Sequence, residues 1–263
     1  MDANQGLSRA IDAKNLAFTS EFKRRLRDLS EIPDEALEWL TMEHYQFSFA
    51  NKGLLKMAID STERLAEKGV AEELRRNIAE EDGHAPWYKE GMRLAGTDFD
   101  ERIEFAPTTT FLKQVAGVAG GASSRALGAL YATETAAIFE HEVFYEVCRE
   151  ICHRRGVTWE GSRIKGFHDI HLDGGVEQGH KDGLAAFVDW QSQTPGSRGE
   201  PIERGEVLSG AFAAIDIMYE WWDALLEEIS RRWNWRPAST SDGASASAPV
   251  NAMRGAVAGA AAA

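Results

Sequence analysis

The stretch ALGALYATETAAIFEHEVFYEVCREICHRR, residues 126–155, constrains the fold most. It contains no proline, and no glycine after Gly128. Its apolar positions recur at helical spacing, and strong helix formers fill the gaps. A run of this length and pattern is predicted to form one long helix. GEVLSGAFAAIDIMYEWWDALLEEISRRW reads the same way and is amphipathic. So does ALEWLTMEHYQFSFANKGLLKMAID, with Pro33 suited to the first turn, and the shorter AEELRRNIAEEDG follows with helical spacing. Sustained alternation and Asn-Gly hairpin turns, the marks of strands, are missing. The expectation is an all-α bundle of roughly seven helices, an architecture that places metal and cofactor sites between facing helices.

Composition narrows the function classes. Of 263 residues, 43% are apolar and eight are tryptophan, enough for a substantial core. The formal net charge of −13 argues against a nucleic-acid partner, which calls for a basic face. No apolar run is long enough to span a bilayer, and MDANQGLSRA lacks the basic and apolar regions of a signal peptide. A cytoplasmic protein without a membrane partner is expected. Cys148 and Cys152, four apart, are read as reduced core cysteines. Residues 1–15 are expected to be loose, residues 16–235 to form the helical domain, and residues 236–263, rich in Ala, Ser and Gly, to form a disordered tail.

GFHDIHLDGGVEQGHKDG, residues 166–183, holds three histidines and four carboxylates in eighteen positions. Within it Glu177 and His180 form a Glu-x-x-His pair, and Glu81 and His84 form another. One helical turn presents such a pair on one face, an oxygen and a nitrogen for the same metal site. Pro86 signals that the first of these helices ends or kinks nearby. Asp173, Glu177 and His180 share a face on a regular helix, whereas His171 faces elsewhere. Gly174 and Gly175 either bring His171 round or lie in a turn before a helix that starts near Val176. Glu134 sits in an apolar run beside Leu127, Leu130, Tyr131, Ala137 and Ile138, where an unpaired carboxylate is costly. Glu140 and Glu142 are read as a solvated face. Glu43 and His44 are weaker candidates from an earlier helix.

These residues resemble the haem-oxygenase-like di-iron oxidases and oxygenases over roughly residues 35–230. NIAEEDGH matches that family's first ligand helix through Glu81 and His84. LGALYATE matches the second through Glu134, and HLDGGVEQGH matches the third through His171, Glu177 and His180. The family usually spaces the third set as His-x-x-x-Asp-x-x-His, which would place Asp173 where a histidine is expected. The number of ligands favours His171; ideal helical register favours Asp173. His171 is preferred, with Asp173, Glu43 and His44 as second choices. The resemblance implies a haem-oxygenase-like bundle, two iron ions per site with manganese as the other fitting metal, and O2 as co-substrate. It implies an oxidoreductase acting on a small amine, amino acid or fatty acid, by N-oxygenation or oxidative C–C cleavage in natural-product biosynthesis. Bundles of this kind can pair as homodimers.

Tyr45, Phe47, Trp87, Tyr88, Phe139 and Trp222 are candidates to line a substrate pocket, although core packing is the more usual role of such residues. Arg75, Arg76 and Lys165 are candidates to meet a substrate carboxylate. Two rival readings share the architecture. One is a metal-free thiaminase-like or cofactorless oxidase, which in its thiaminase-like form needs an activated Cys148 or Cys152. The other is a ferritin-like iron binder without turnover.

Overall fold

Helix α6, Ser123–Arg154, runs through the centre of the molecule, and more than half of its residues are buried. The computed structural model describes residues 6–189 and 198–237. Around α6 lie α1 (Leu7–Arg25), α2 (Asp34–Thr62), α3 (Gly69–Glu80), α4 (His84–Leu94), α5 (Ala106–Ala119), α7 (Arg163–Leu172), α8 (Val176–Val188) and α9 (Arg204–Trp233). Among the described residues there is no strand, only an isolated bridge between Leu65 and Glu200. Counting each interrupted pair, α3 with α4 and α7 with α8, as one broken helix recovers the seven expected from the sequence.

The core is aromatic where α9 meets its neighbours. Trp221 stacks on Phe111 of α5, with centroids 4.2 Å apart and planes 5° apart, and Trp222 is fully buried against Phe22, Phe139 and Phe144. Burial of each such ring is worth about 1.5–3 kcal/mol. Helices α6 and α9 pack most closely where Gly128 faces Val207 and Gly210 faces Arg125. A Cβ on Gly128 would sit 2.7 Å from the Val207 carbonyl carbon, and one on Gly210 would sit 2.7 Å from that of Arg125.

The N-terminus departs from expectation. Residues 7–15 belong to α1 and are not loose. Apolar residues are sparse there but correctly spaced: Leu7, Ile11 and Asn15 are buried in register, and Asn15 donates to the Ala132 carbonyl at 3.1 Å. The tail expected at 236–263 lies almost wholly outside the described residues. No described helix is long and apolar enough to cross a membrane. Cys148 and Cys152 are both buried and unbridged.

Candidate metal centre

Two helix breaks build the site. Helix α3 ends at Glu80, Gly83 turns with φ +90°, and α4 starts at His84. Glu81 and His84 therefore straddle a turn rather than share one helix face, yet His84 Nδ1 lies 3.1 Å from Glu81 Oε2. Pro86 falls in the first turn of α4, where its missing N–H costs nothing. The second break is built alike. Helix α7 ends at Leu172, and Gly175, at φ +70°, caps the start of α8. The new helix direction brings Glu177 and His180 from the first turns of α8 onto His171, the penultimate residue of α7. Both readings of the glycine pair hold together: α8 starts at Val176, and His171 joins the cluster.

All six first-choice residues converge. His171 Nδ1 donates to the Phe167 carbonyl at 2.6 Å, so its Nε2 lone pair points inward, 3.1 Å from His84 Nδ1 and 3.8 Å from Glu177 Oε1. His180 Nδ1 lies 3.2 Å from Glu134 Oε2 and 3.8 Å from Glu177 Oε2, while Glu80 holds Nε2 from outside at 3.0 Å. Orienting contacts of this kind fix a metal-binding imidazole. Ligand atoms of three sets come within 4.8 Å of one another: Glu81, His84 and His171; His141, His171 and Glu177; Glu81, Glu177 and His180. Glu81, Glu177 and His171 each belong to two of the three sets.

The second choices fare differently. Asp173 is exposed and lines an outer groove of about 640 Å3 together with Lys23, Arg27 and Glu142, so it is no ligand. Glu43 is buried but gives both oxygens to Arg102, each at 2.9 Å. His44 borders the site without joining it; its Nε2 lies 3.6 Å from Glu140 Oε2. Glu140 itself is buried, not solvated, because α2 and α9 cover that side of α6. His141 was not anticipated. It stacks on His171 at 4.0 Å, and its Nε2 is 3.3 Å from Glu177 Oε1. Its signal lay in the pattern: position 141 is two helical turns after Glu134 on the same buried face.

The electrostatics suit divalent cations. No Lys or Arg pairs with Glu81, Glu134 or Glu177 among the described residues; Glu134 and Glu177 are buried and Glu81 is half-buried beside them. Burial first, then the charge of Glu81, pushes Glu177 up to about 8. Burial likewise raises Glu134, more than its hydrogen bond to His180 lowers it. Burial alone would lower His180, but the Glu134 hydrogen bond and the surrounding carboxylates outweigh it and raise the imidazole. A cation at this site would compete with protons on these groups. Burial also keeps His141 and His171 neutral, the form in which imidazole binds metal. Carboxylates and neutral imidazoles together suit iron or manganese.

A pH dependence follows. The Glu177 carboxyl is raised in the folded chain, so its contribution to metal-free stability is full below its ordinary value of 4.5 and is lost as pH rises through about 8. A bound cation replaces that proton. The rise in melting temperature on adding Mn(II) should therefore be larger at about pH 8 than at about pH 6, with affinity gaining roughly tenfold per pH unit for each proton displaced. Equal shifts at both pH values would contradict this account of the charge.

Beside the cluster lies a cavity of about 40 Å3, bordered by His44, Phe47, Ser48, Asn51, Glu140 and the centre itself. Of the six aromatic candidates only Phe47 borders it; Trp87 and Tyr88 pack on Phe167, and Phe139 packs on Trp222. The three cationic candidates are engaged elsewhere, Arg75 with Glu63, Arg76 with Glu73 and Glu80, and Lys165 with Asp169.

No family model and no curated protein matches the chain. Solved structures do. Two crystal structures of a CADD-like protein of unknown function from Nostoc punctiforme PCC 73102 superpose with TM-scores of 0.70 and 0.67, at 24% and 22% identity. They cover 85% and 86% of this chain, and 96% of the other chain in both cases. A TenA homolog from Pseudomonas syringae pv. tomato str. DC3000 superposes with a TM-score of 0.62 at 13% identity, over 84% of this chain and 91% of its own. The haem-oxygenase-like helical bundle expected from the resemblance is the observed fold.

Proposed function

We propose that this chain is a non-haem di-iron oxidoreductase that uses O2 to oxidise a small organic molecule. The observation that carries the reading is the buried convergence of Glu81, Glu134 and Glu177 with His84, His171 and His180 from the ends and faces of five helices. When bound, two ferrous ions would supply electrons to O2, and that chemistry is theirs rather than the protein's. The chain's own share is positional. Glu81 and Glu177 lie between the two groups of ligands and would hold the ions as a pair. Phe167 fixes the His171 ring through its carbonyl, and Glu80 fixes His180. Phe47 and Phe167, both buried, border the site and would limit the access of bulk water.

The burial of both cysteines counts against the metal-free, thiol-dependent alternative. Cys148 is fully buried, and burial drives its thiol far above the usual range, while Cys152 is raised by burial as well. A nucleophilic cysteine needs the opposite shift.

The test is O2 uptake by chain loaded anaerobically with Fe(II), recorded with and without small amines, amino acids and fatty acids. Uptake that rises severalfold with one of these classes is the expected result. Iron oxidation indifferent to every added compound would support storage, and failure to take up iron would end the reading.

A further inference from the structure

The polar groups on the α2 side of the cavity stand apart from the metal-ligand cluster. Glu140 is buried on α6, and its Oε1 accepts from Trp222 Nε1 at 3.0 Å. Among the described residues its Oε2 faces His44 Nε2 at 3.6 Å, beyond hydrogen-bond reach. His44 lies flat on Phe144, 3.7 Å between centroids and 16° between planes, and its Nδ1, also buried, has no partner. A carboxylate and an imidazole, each almost wholly buried, therefore border the same small cavity with hydrogen-bonding capacity to spare. Leaving such groups unsatisfied is costly, and a site built to receive a ligand is where that cost is recovered.

The remaining wall says what kind of ligand. Among the described residues that border the cavity there is no Lys or Arg. Thr133 also borders it, and its hydroxyl already donates to the Leu130 carbonyl at 3.0 Å, which leaves its oxygen lone pairs to accept. An entering carboxylate would face the Glu140 carboxylate, whereas an N–H donor of positive charge would meet Glu140 and the Thr133 oxygen. The volume of about 40 Å3 admits roughly three water-sized groups, enough for a head group but not a whole substrate. The half-buried Ser48 and Asn51 border it towards the surface.

We propose that Glu140, supported by His44 and Thr133, is the binding site for a primary ammonium group, so that the substrate is a small amine whose charged end is held on the α2 side of the metal centre. This rests on the reading of the centre as a metal-dependent small-molecule site and narrows it to one substrate class.

Calorimetric titration of the full chain with ethylamine, ethanol, acetate and glycine tests it, in both Mn(II)-loaded and metal-free protein. Wild-type chain should bind ethylamine in preference to ethanol, and in metal-free protein in preference to acetate. Glu140→Gln keeps the acceptor for Trp222 and should weaken ethylamine binding by about thirtyfold or more, with Mn(II) content unchanged. Glycine separates a plain amine from an amino acid, because the latter gains from its carboxylate only when metal is present; in both cases the Glu140→Gln loss should be the same. The proposal is overturned if Glu140→Gln binds ethylamine as wild type does, or if metal-free wild type favours acetate or binds neither amine. The wild-type comparison needs no substitution, so it stands even if the variant fails to fold. If Mn(II) does not bind at all, the di-iron reading falls, while the metal-free titrations still decide the role of Glu140.

Discussion

Replacing Glu177 by alanine is expected to strip the centre of metal while leaving the bundle folded. Glu177 serves two of the three ligand sets and lies between His141, His171 and His180, so its loss should remove the shared oxygens that hold two ions together. Removing an outer partner of a metal ligand typically costs about 10–100-fold in affinity, and loss of a shared ligand should exceed about a hundredfold. Metal content after desalting should fall from two ions per chain to none. The metal-free fold should not suffer. Burial and the nearby Glu81 already make the Glu177 charge unfavourable, so the variant without metal should melt no lower than wild type at about pH 8. Two companions grade the effect. Glu80→Ala removes the outer contact to His180 together with the surface pair to Arg76 and should cost about 10–100-fold in metal affinity, whereas Asp173→Ala alters an exposed carboxylate in another groove and should change nothing. Full metal content in Glu177→Ala would contradict the assignment.

The largest effect on stability is expected at the crossing of α6 and α9. In Gly210→Ala the new methyl would overlap the Arg125 backbone, and in Gly128→Ala it would overlap that of Val207. Backbone cannot rotate away as a side chain can, so the two helices must separate. That separation would loosen the aromatic layer around Trp221 and Trp222. Overpacking of this kind costs about 3 kcal/mol or more, equivalent to a melting temperature lower by roughly 6–12 °C for a domain of this size. Gly53→Ala is the control. Gly53 is exposed in α2 with nothing within 4 Å of an added Cβ, and there alanine should stabilise by about 0.5–1 kcal/mol. Thermal unfolding of the three variants without metal separates the cases. A Gly210→Ala protein as stable as wild type would mean that the helices do not approach so closely.

Much of this fold was legible because its central helices carry strong local signals. The run after Gly128 has few other ways to fold, and the ligand types in order along the chain pointed to a shared pocket. What escaped notice depends on tertiary contact. The α1 helix has too few apolar residues for its pattern to stand out, yet Leu7, Ile11, Phe18 and Phe22 find a face to bury against. Glu140 looked solvated because nothing local shows that α2 and α9 cover it. The Glu-x-x-His spacing of Glu81 and His84 implies one helical face, whereas Gly83 breaks the helix between them and a turn achieves the same closeness. The choice between His171 and Asp173 could not be made from register, because the left-handed Gly175 resets the helix direction at that point. His141 was the discoverable omission, since the spacing from Glu134 places it on the same inner face.

The central claim is that these side chains hold two metal ions in one buried pocket. The most direct measurement is anomalous diffraction at the iron edge from crystals of chain loaded anaerobically with Fe(II). Two peaks per chain are expected, one beside His84 and His171 and the other beside His180 and Glu134, with Glu81 and Glu177 reaching both. A pocket without iron, a single peak there, or iron bound only at surface carboxylates would contradict the claim.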